Sequence, residues 1–126
     1  MFPVPSRLPA FCTSMGRVLL ANLPPEDLQS SLASIKFTRH TERTVGTKDA
    51  LLEMLDQVRR DGYAMVDQEL ELGLRSMAVP IWNLTGRVVA AVNVGAHAQR
   101  VSAQEMQKNF LPHLQAAAQE LSMLLR

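Results

Sequence analysis

The chain has 126 residues with 13 Lys+Arg against 12 Asp+Glu, a formal charge of +1. That is one domain's worth of protein, without the clustered cations that bind DNA or an anionic membrane by charge alone. Hydrophobic residues make up 47% and charged residues 20%, which excludes a disordered or fibrous chain. Cys12 has no partner for an internal disulfide, and no apolar run approaches the roughly 20 residues of a bilayer span. MFPVPSRLPAF lacks a basic segment followed by an apolar one, so no secretory signal is read and a cytoplasmic protein without membrane contact is expected.

Pro3, Pro5 and Pro9 oppose a helix and suit an extended arm or strand remnant. A first helix is expected from Ser14 to Leu23, capped by Thr13 or Ser14 and stopped by Pro24. Pro25, Glu26 and Asp27 then form the first turn of a second helix, with Leu28, Leu32 and Ile35 on one face. Lys36 to Gly46 is polar and aperiodic and reads as a loop with room for one short strand. Thr47 caps a third helix whose stripe is Ala50, Leu51, Met54, Leu55 and Val58, with Gly62 as its C-terminal cap. Tyr63 to Gln68 reads as a strand, DQELELG as an acidic connection, and Leu74 to Trp82 with Arg87 to Val94 as a hairpin closed by Asn83-Leu84-Thr85-Gly86. Ser102 and Glu105 make a capping box for a last helix. Its stripe is Met106, Phe110, Leu114, Ala117, Leu121 and Leu124, broken by Pro112 near Leu111. The order predicts an α+β domain with helices against an antiparallel sheet.

An even-length hairpin loop pairs Trp82 with Arg87 and Ser76 with Asn93, and period-two alternation then sorts the side chains. One face carries Met77, Val79 and Ile81 with Val88, Ala90, Val92 and Val94, a surface suited to packing under helices. The other carries Leu74, Ser76, Ala78 and Pro80 with Val89, Ala91, Asn93 and Gly95, which are small and include two polar groups. Such a face fits a small-molecule pocket, and equally close helix packing or a subunit contact.

These segments resemble a known family. LPAFCTSMGRVLLANLPPEDL, LLEMLDQVRRDGYAMVDQELELGLRSMAVPIWNLTGRVVAAVNVGA and the helix after QRVS are similar to the effector-binding domain of IclR-type bacterial transcriptional regulators. Within that family they are most like the PcaR/PcaU/PobR branch, associated with protocatechuate, p-hydroxybenzoate and β-ketoadipate metabolism. The resemblance implies a GAF-like fold, a curved antiparallel sheet flanked by helices, and an effector cavity between the sheet and the helix that begins near Ser14. It carries pocket positions onto Leu8, Ser14, Met15, Val66, Leu74, Ser76, Asn93 and Gly95. It further implies a single effector-binding domain over residues 1–126 that is truncated at its N-terminus, so that the sheet has an exposed edge. The family's DNA-binding winged helix is expected to be missing from this chain. Where some members have an aspartate, this chain has Val66, with Asp67 pointing to the other side.

The expected partners are a small organic acid and a second copy of the chain, as dimer or tetramer, with DNA reached only through a winged-helix domain. Ser14, Met15 and Gly16 open a helix whose free N–H groups favour a carboxylate. Arg17 or Arg75 offers a guanidinium to an acid, with an ion pair to the acids of Asp67–Glu71 the simpler role for Arg75. Cys12 reads as a buried inert thiol. Met54, Met65, Met77, Met106 and Met123 read as core. His40, His97 and His113 have no metal-ligand spacing, and no nucleophile elbow, P-loop or dinucleotide fingerprint is present. Neither cofactor nor catalysis is therefore expected, and the alternative to a sensor is an oligomerisation or protein-interaction module.

Overall fold

The apolar positions separate into two clusters on opposite faces of one sheet, and this decides the architecture. The structure is a computed structural model that describes residues 9–125. After a 3₁₀ turn at Ala10–Cys12 come α1 (Ser14–Ala21), α2 (Pro25–Ser34) and α3 (Lys48–Asp61). The strands β1 (Ala64–Asp67), β2 (Leu74–Trp82) and β3 (Val88–His97) follow, then α4 (Ala103–Glu105), a π-helical stretch at Met106–Phe110 and α5 (Leu111–Ser122). The strands form an antiparallel sheet in the order β1-β2-β3, so the fold is α+β as expected.

Local chemistry sets the helix limits. Thr13 caps α1 by accepting from Gly16 N at 3.2 Å, and Thr47 caps α3 by accepting from Ala50 N at 3.1 Å. α1 ends at Ala21 rather than Leu23, because Asn22 N and Leu23 N donate to Leu19 O and Leu20 O in a tighter closing turn. The 36–46 segment holds no strand. It is knotted by its own side chains, with Thr44 Oγ1 accepting from His40 N (3.0 Å) and Thr41 N (2.8 Å).

The hairpin departs from the expected register in an informative way. Asn83 N donates to Arg87 O (2.8 Å) and Gly86 N to Asn83 O (3.0 Å), so the loop is the odd one, Leu84-Thr85-Gly86. Gly86 sits at φ +81°, as the last position of such a loop requires. An odd loop alone would invert the faces of β3. A register shift between Ile81 and Trp82, where Ile81 pairs with Ala90 and Trp82 with Val88, inserts Val89 and restores them. Ser76 therefore pairs with Gly95 and Ala78 with Asn93, not Ser76 with Asn93, yet every side chain from Leu74 to Ile81 keeps its expected face.

Pro80 fits this pattern. Leu74 O accepts from Gln68 N on the β1 side and Gly73 O from Ala98 N on the β3 side, so alternate β2 residues direct their backbone groups to opposite neighbours. Pro80 falls on the β1 side beyond the β1 start at Ala64, where its missing N–H breaks no ladder bond. Among the described residues, the outer edge of β3 has no partner strand.

Ala64 and Ala78 let α1 approach the small-residue face. Val18, Leu51, Leu55 and Val58 complete that cluster, with α3 packed behind α1. Met77, Val79 and Ile81 pack on the other face against Met106, Leu114 and Ala118. Of the methionines expected in the core, Met77 and Met106 are fully buried but Met54 and Met123 are exposed. The C-terminal stripe also differs: after Leu114 it continues through Ala118, while Leu121 is 39% exposed and Leu124 lies in solvent. The π-helical stretch before Pro112 rotates the helix that follows, and Ala117 and Ala118 offer no contrast from which the turn could be read. We expect Leu114→Ala to lower stability by about 2–5 kcal/mol and Leu121→Ala by under about 1 kcal/mol, compared by chemical denaturation.

Candidate functional site

The N-terminus of α1 stands over the small-residue face of the sheet and leaves a cavity of about 390 Å³ between them. Ser14, Met15 and Gly16 from α1, Val66 from β1, Leu74 and Ser76 from β2, and Asn93 and Gly95 from β3 all line it. These are the positions singled out from sequence, except Leu8, which lies outside the described residues. Ser14 and Val66 are buried at the back, Leu74 and Ser76 are half-buried, and Met15, Asn93 and Gly95 are exposed at the mouth beside the β3 edge. A larger hollow of about 490 Å³, between Trp82 and α5, contains none of them.

The lining also includes Ala10, Cys12, Thr13, Leu19 and Leu70, which sequence reasoning missed. Leu19 was readable, one helical turn beyond Met15. Leu70 was not, because it sits in an acidic connection without periodicity. Ala10 and Cys12 enter through Gly16: a Cβ there would run into the backbone of Ala10 and into Thr13 Oγ1, so only glycine lets the 3₁₀ turn fold against α1.

None of the described lining residues is charged. Arg17 follows Gly16 in sequence but its guanidinium is committed elsewhere. Nε donates to Phe11 O at 2.9 Å and Nη2 to Glu69 Oε1 at 2.6 Å, in a pair where Arg17 is 3% and Glu69 6% exposed. Glu69 Oε1 also accepts from Val45 N at 2.9 Å. The expectation that Arg17 could offer its cation to an acid is thus corrected by a buried partner in the DQELELG segment. Arg75 bonds Asp67 at 3.2 Å on the sheet face opposite Ser76, in the ion-pair role expected for it. Burial pushes the Asp67 carboxyl up, but hydrogen bonds from Gln68 and Arg75 and the charges of Arg75 and Arg43 outweigh it and hold the group below its usual 3.8.

What remains in the cavity is neutral hydrogen bonding on apolar walls. Ser14 is 1% exposed, and Ser14, Ser76 and Asn93 have no side-chain hydrogen-bond partner among the described residues. Gly16 N is taken by Thr13, so of the three first-turn amides expected to be free, those of Ser14 and Met15 are left for a ligand. Cys12 is fully buried, and its thiol is pushed up to about 11 by burial and by the Glu69 carboxylate, against the opposing charge of Arg17. It is a protonated wall group at neutral pH.

Residues 3–123 match the family described as bacterial transcriptional regulator IclR, C-terminal. The chain belongs to the IclR family. It is 47% identical over 118 residues to the Pca regulon regulatory protein of Pseudomonas putida, covering 94% of this chain and 40% of that protein. It is 38% identical over 120 residues to the p-hydroxybenzoate hydroxylase transcriptional activator of Acinetobacter baylyi, covering 95% of this chain and 44% of that protein. The chain thus spans less than half the length of either relative, and both are transcriptional regulators rather than enzymes. Among solved structures, a double mutant of the PobR inducer-binding domain from Acinetobacter, in complex with 3-hydroxybenzoic acid, superimposes with a TM-score of 0.88 at 36% identity. That match covers 94% of this chain and 67% of that one. The C-terminal domain of Escherichia coli KdgR gives a TM-score of 0.87 at 36% identity, over 94% of this chain and 71% of that one.

Two outcomes follow for this IclR-family domain. Gly16→Ala should destabilise it by about 1–3 kcal/mol, because backbone must move to admit the methyl group; thermal unfolding reads this. The raised Cys12 value means that the unfolded thiol loses its proton first. The associated stability is complete below about pH 9 and is lost as pH rises through about 11, for a total of about 2–3 kcal/mol. In Cys12→Ala that part of the alkaline slope should vanish in denaturation series run between those limits.

Proposed function

We propose that this chain is the effector-sensing module of an IclR-family transcriptional regulator. Its cavity, in this reading, takes an aromatic or dicarboxylic acid of the protocatechuate, p-hydroxybenzoate and β-ketoadipate pathways. The observation that carries the reading is the convergence of α1 and all three strands on one apolar cavity whose described polar side chains are neutral, three of them, Ser14, Ser76 and Asn93, without a side-chain hydrogen bond to another described residue. Its volume lies in the usual range for small-molecule pockets, about 300–1,000 Å³. The aromatic-acid regulators among the relatives, and the 3-hydroxybenzoic acid named with the PobR domain, support the choice of ligand class. A ring packs against Val66, Leu70 and Leu74. The carboxylate meets the amides of Ser14 and Met15 and the Ser14 hydroxyl at the positive end of α1. Ser76 and Asn93 receive the second polar group. DNA contact belongs to a winged-helix domain of the family's kind, consistent with the balanced charge here.

A second reading, self-association, rests on the outer edge of β3, which has no partner strand among the described residues and whose ten residues include no proline and no lysine. Sedimentation separates the two: a mass that rises with concentration but ignores acids favours assembly alone.

Calorimetry with the best of protocatechuate, 4-hydroxybenzoate and β-ketoadipate tests the site. Ser76→Ala should weaken binding by about 1–3 kcal/mol, and Asn93→Ala by about 1 kcal/mol because it sits at the mouth. Ser76→Leu should abolish binding by filling the cavity, while Val92→Ala, on the other face, leaves affinity intact and lowers stability. A Ser76→Leu variant that binds like the parent would remove the site from this face.

A further inference from the structure

Arg17 and Glu69 do not line the cavity, but each is bonded in sequence to a residue that does, Gly16 on α1 and Leu70 in the turn between β1 and β2. The same Glu69 oxygen that meets Arg17 accepts from Val45 N, in the 36–46 segment, none of whose residues reaches the cavity. That segment grips the turn a second time: Thr41 Oγ1 donates to Gln68 O and Thr44 Oγ1 to Glu69 O, each at 2.6 Å. It also grips the other wall, through the edge-on contact of Phe37 with Phe11 at 5.2 Å. Between these grips Gln68 is held at φ +61°, the left-handed region, its side chain accepting from Gly73 N and donating to Asp67 Oδ1. A non-glycine residue in that region is strained and stays there only while its surroundings hold it.

We propose that Arg17 and Glu69 are positioning residues that couple occupancy of the cavity to the 36–46 segment, with the Val45 amide as the end point. The proposal rests on reading the cavity as a ligand site. An occupant packed between the α1 N-terminus and Leu70 fixes both walls, holds Glu69 against Arg17 and so keeps Val45 N–H bonded. In the empty cavity the strained turn has a second arrangement, in which Gln68 relaxes and Glu69 leaves Val45. Linkage makes the effect reciprocal, so a segment ordered by another contact tightens the cavity for its occupant.

Amide exchange by NMR on the whole chain tests this, with Val45 read against Leu55, a fully buried α3 residue that reports global opening. The occupant is supplied in two ways: 4-hydroxybenzoate added to the parent chain, and Ser76→Leu, which fills the cavity without a ligand. Either should slow Val45 at least about fivefold beyond any change at Leu55. That excess should disappear in Arg17→Met/Glu69→Gln, which removes both buried charges together. It should also disappear in Leu70→Ala, which leaves the ion pair intact and keeps the result readable if the double variant does not fold. If Val45 never moves more than Leu55, or if the excess survives in Leu70→Ala, the coupling is overturned. If 4-hydroxybenzoate has no effect while Ser76→Leu slows Val45, the coupling stands and the choice of ligand falls.

Discussion

A single ion pair inside the domain sets the terms for its neighbours. Arg17 and Glu69 lie 52 residues apart and are the charged side chains classed as buried among the described residues. Two charges withdrawn from water are tolerated only when geometry and additional hydrogen bonds compensate both, and removing one partner leaves the other uncompensated at about 3–5 kcal/mol. The fold meets this requirement with Phe11 O for the guanidinium and Val45 N for the carboxylate. Four segments are thereby fixed to one point: the 3₁₀ turn, α1, the 36–46 segment and the turn after β1. The cavity wall is a consequence of that arrangement.

The same pair explains why the described lining of the cavity is neutral although Arg17 stands beside it. A cation beside the α1 N-terminus would bind any carboxylate, with little discrimination by shape. With Arg17 satisfied by Glu69, the acid proposed above would be recognised by oriented amides and hydroxyls, whose geometry is far stricter than that of a point charge. Apolar walls would then add the selectivity for a ring or a chain. Val66 at the back, where the turn of one residue aims Asp67 toward Arg75 instead, keeps a competing carboxylate out of the cavity.

Much of this was legible in the chain because it is local. Thr13, Thr47 and the Ser102–Glu105 box announce helix starts by side-chain chemistry that acts over a few residues, and each does so in the structure. The two faces of β2 were legible because alternation is a property of the strand itself. What escaped depended on distant partners. Glu69 looked like surface charge in an acidic run until Arg17 was placed beside it, and Leu70 had no periodicity to mark it as a wall. Leu121 and Ala117 were misread because a π-helical stretch rotates the helix beyond Pro112, and neighbouring alanines and leucines gave two equally apolar stripes.

The odd loop and the inserted Val89 have a consequence for how this domain tolerates change. Each offsets β3 by one residue, and only their combination puts Asn93 and Gly95 toward α1 and Val92 and Val94 toward α5. The two irregularities thus behave like a pair of compensating frameshifts written in space. Substitutions at the exposed tip, at Leu84 or Thr85, alter a surface. Deleting either residue would change the phase of the whole strand, turning bulky valines into the cavity and an amide into the core. Length in this exposed turn is therefore as constrained as identity in the buried wall, and variation among sequences sharing this hairpin should occur by replacement there and not by insertion or loss.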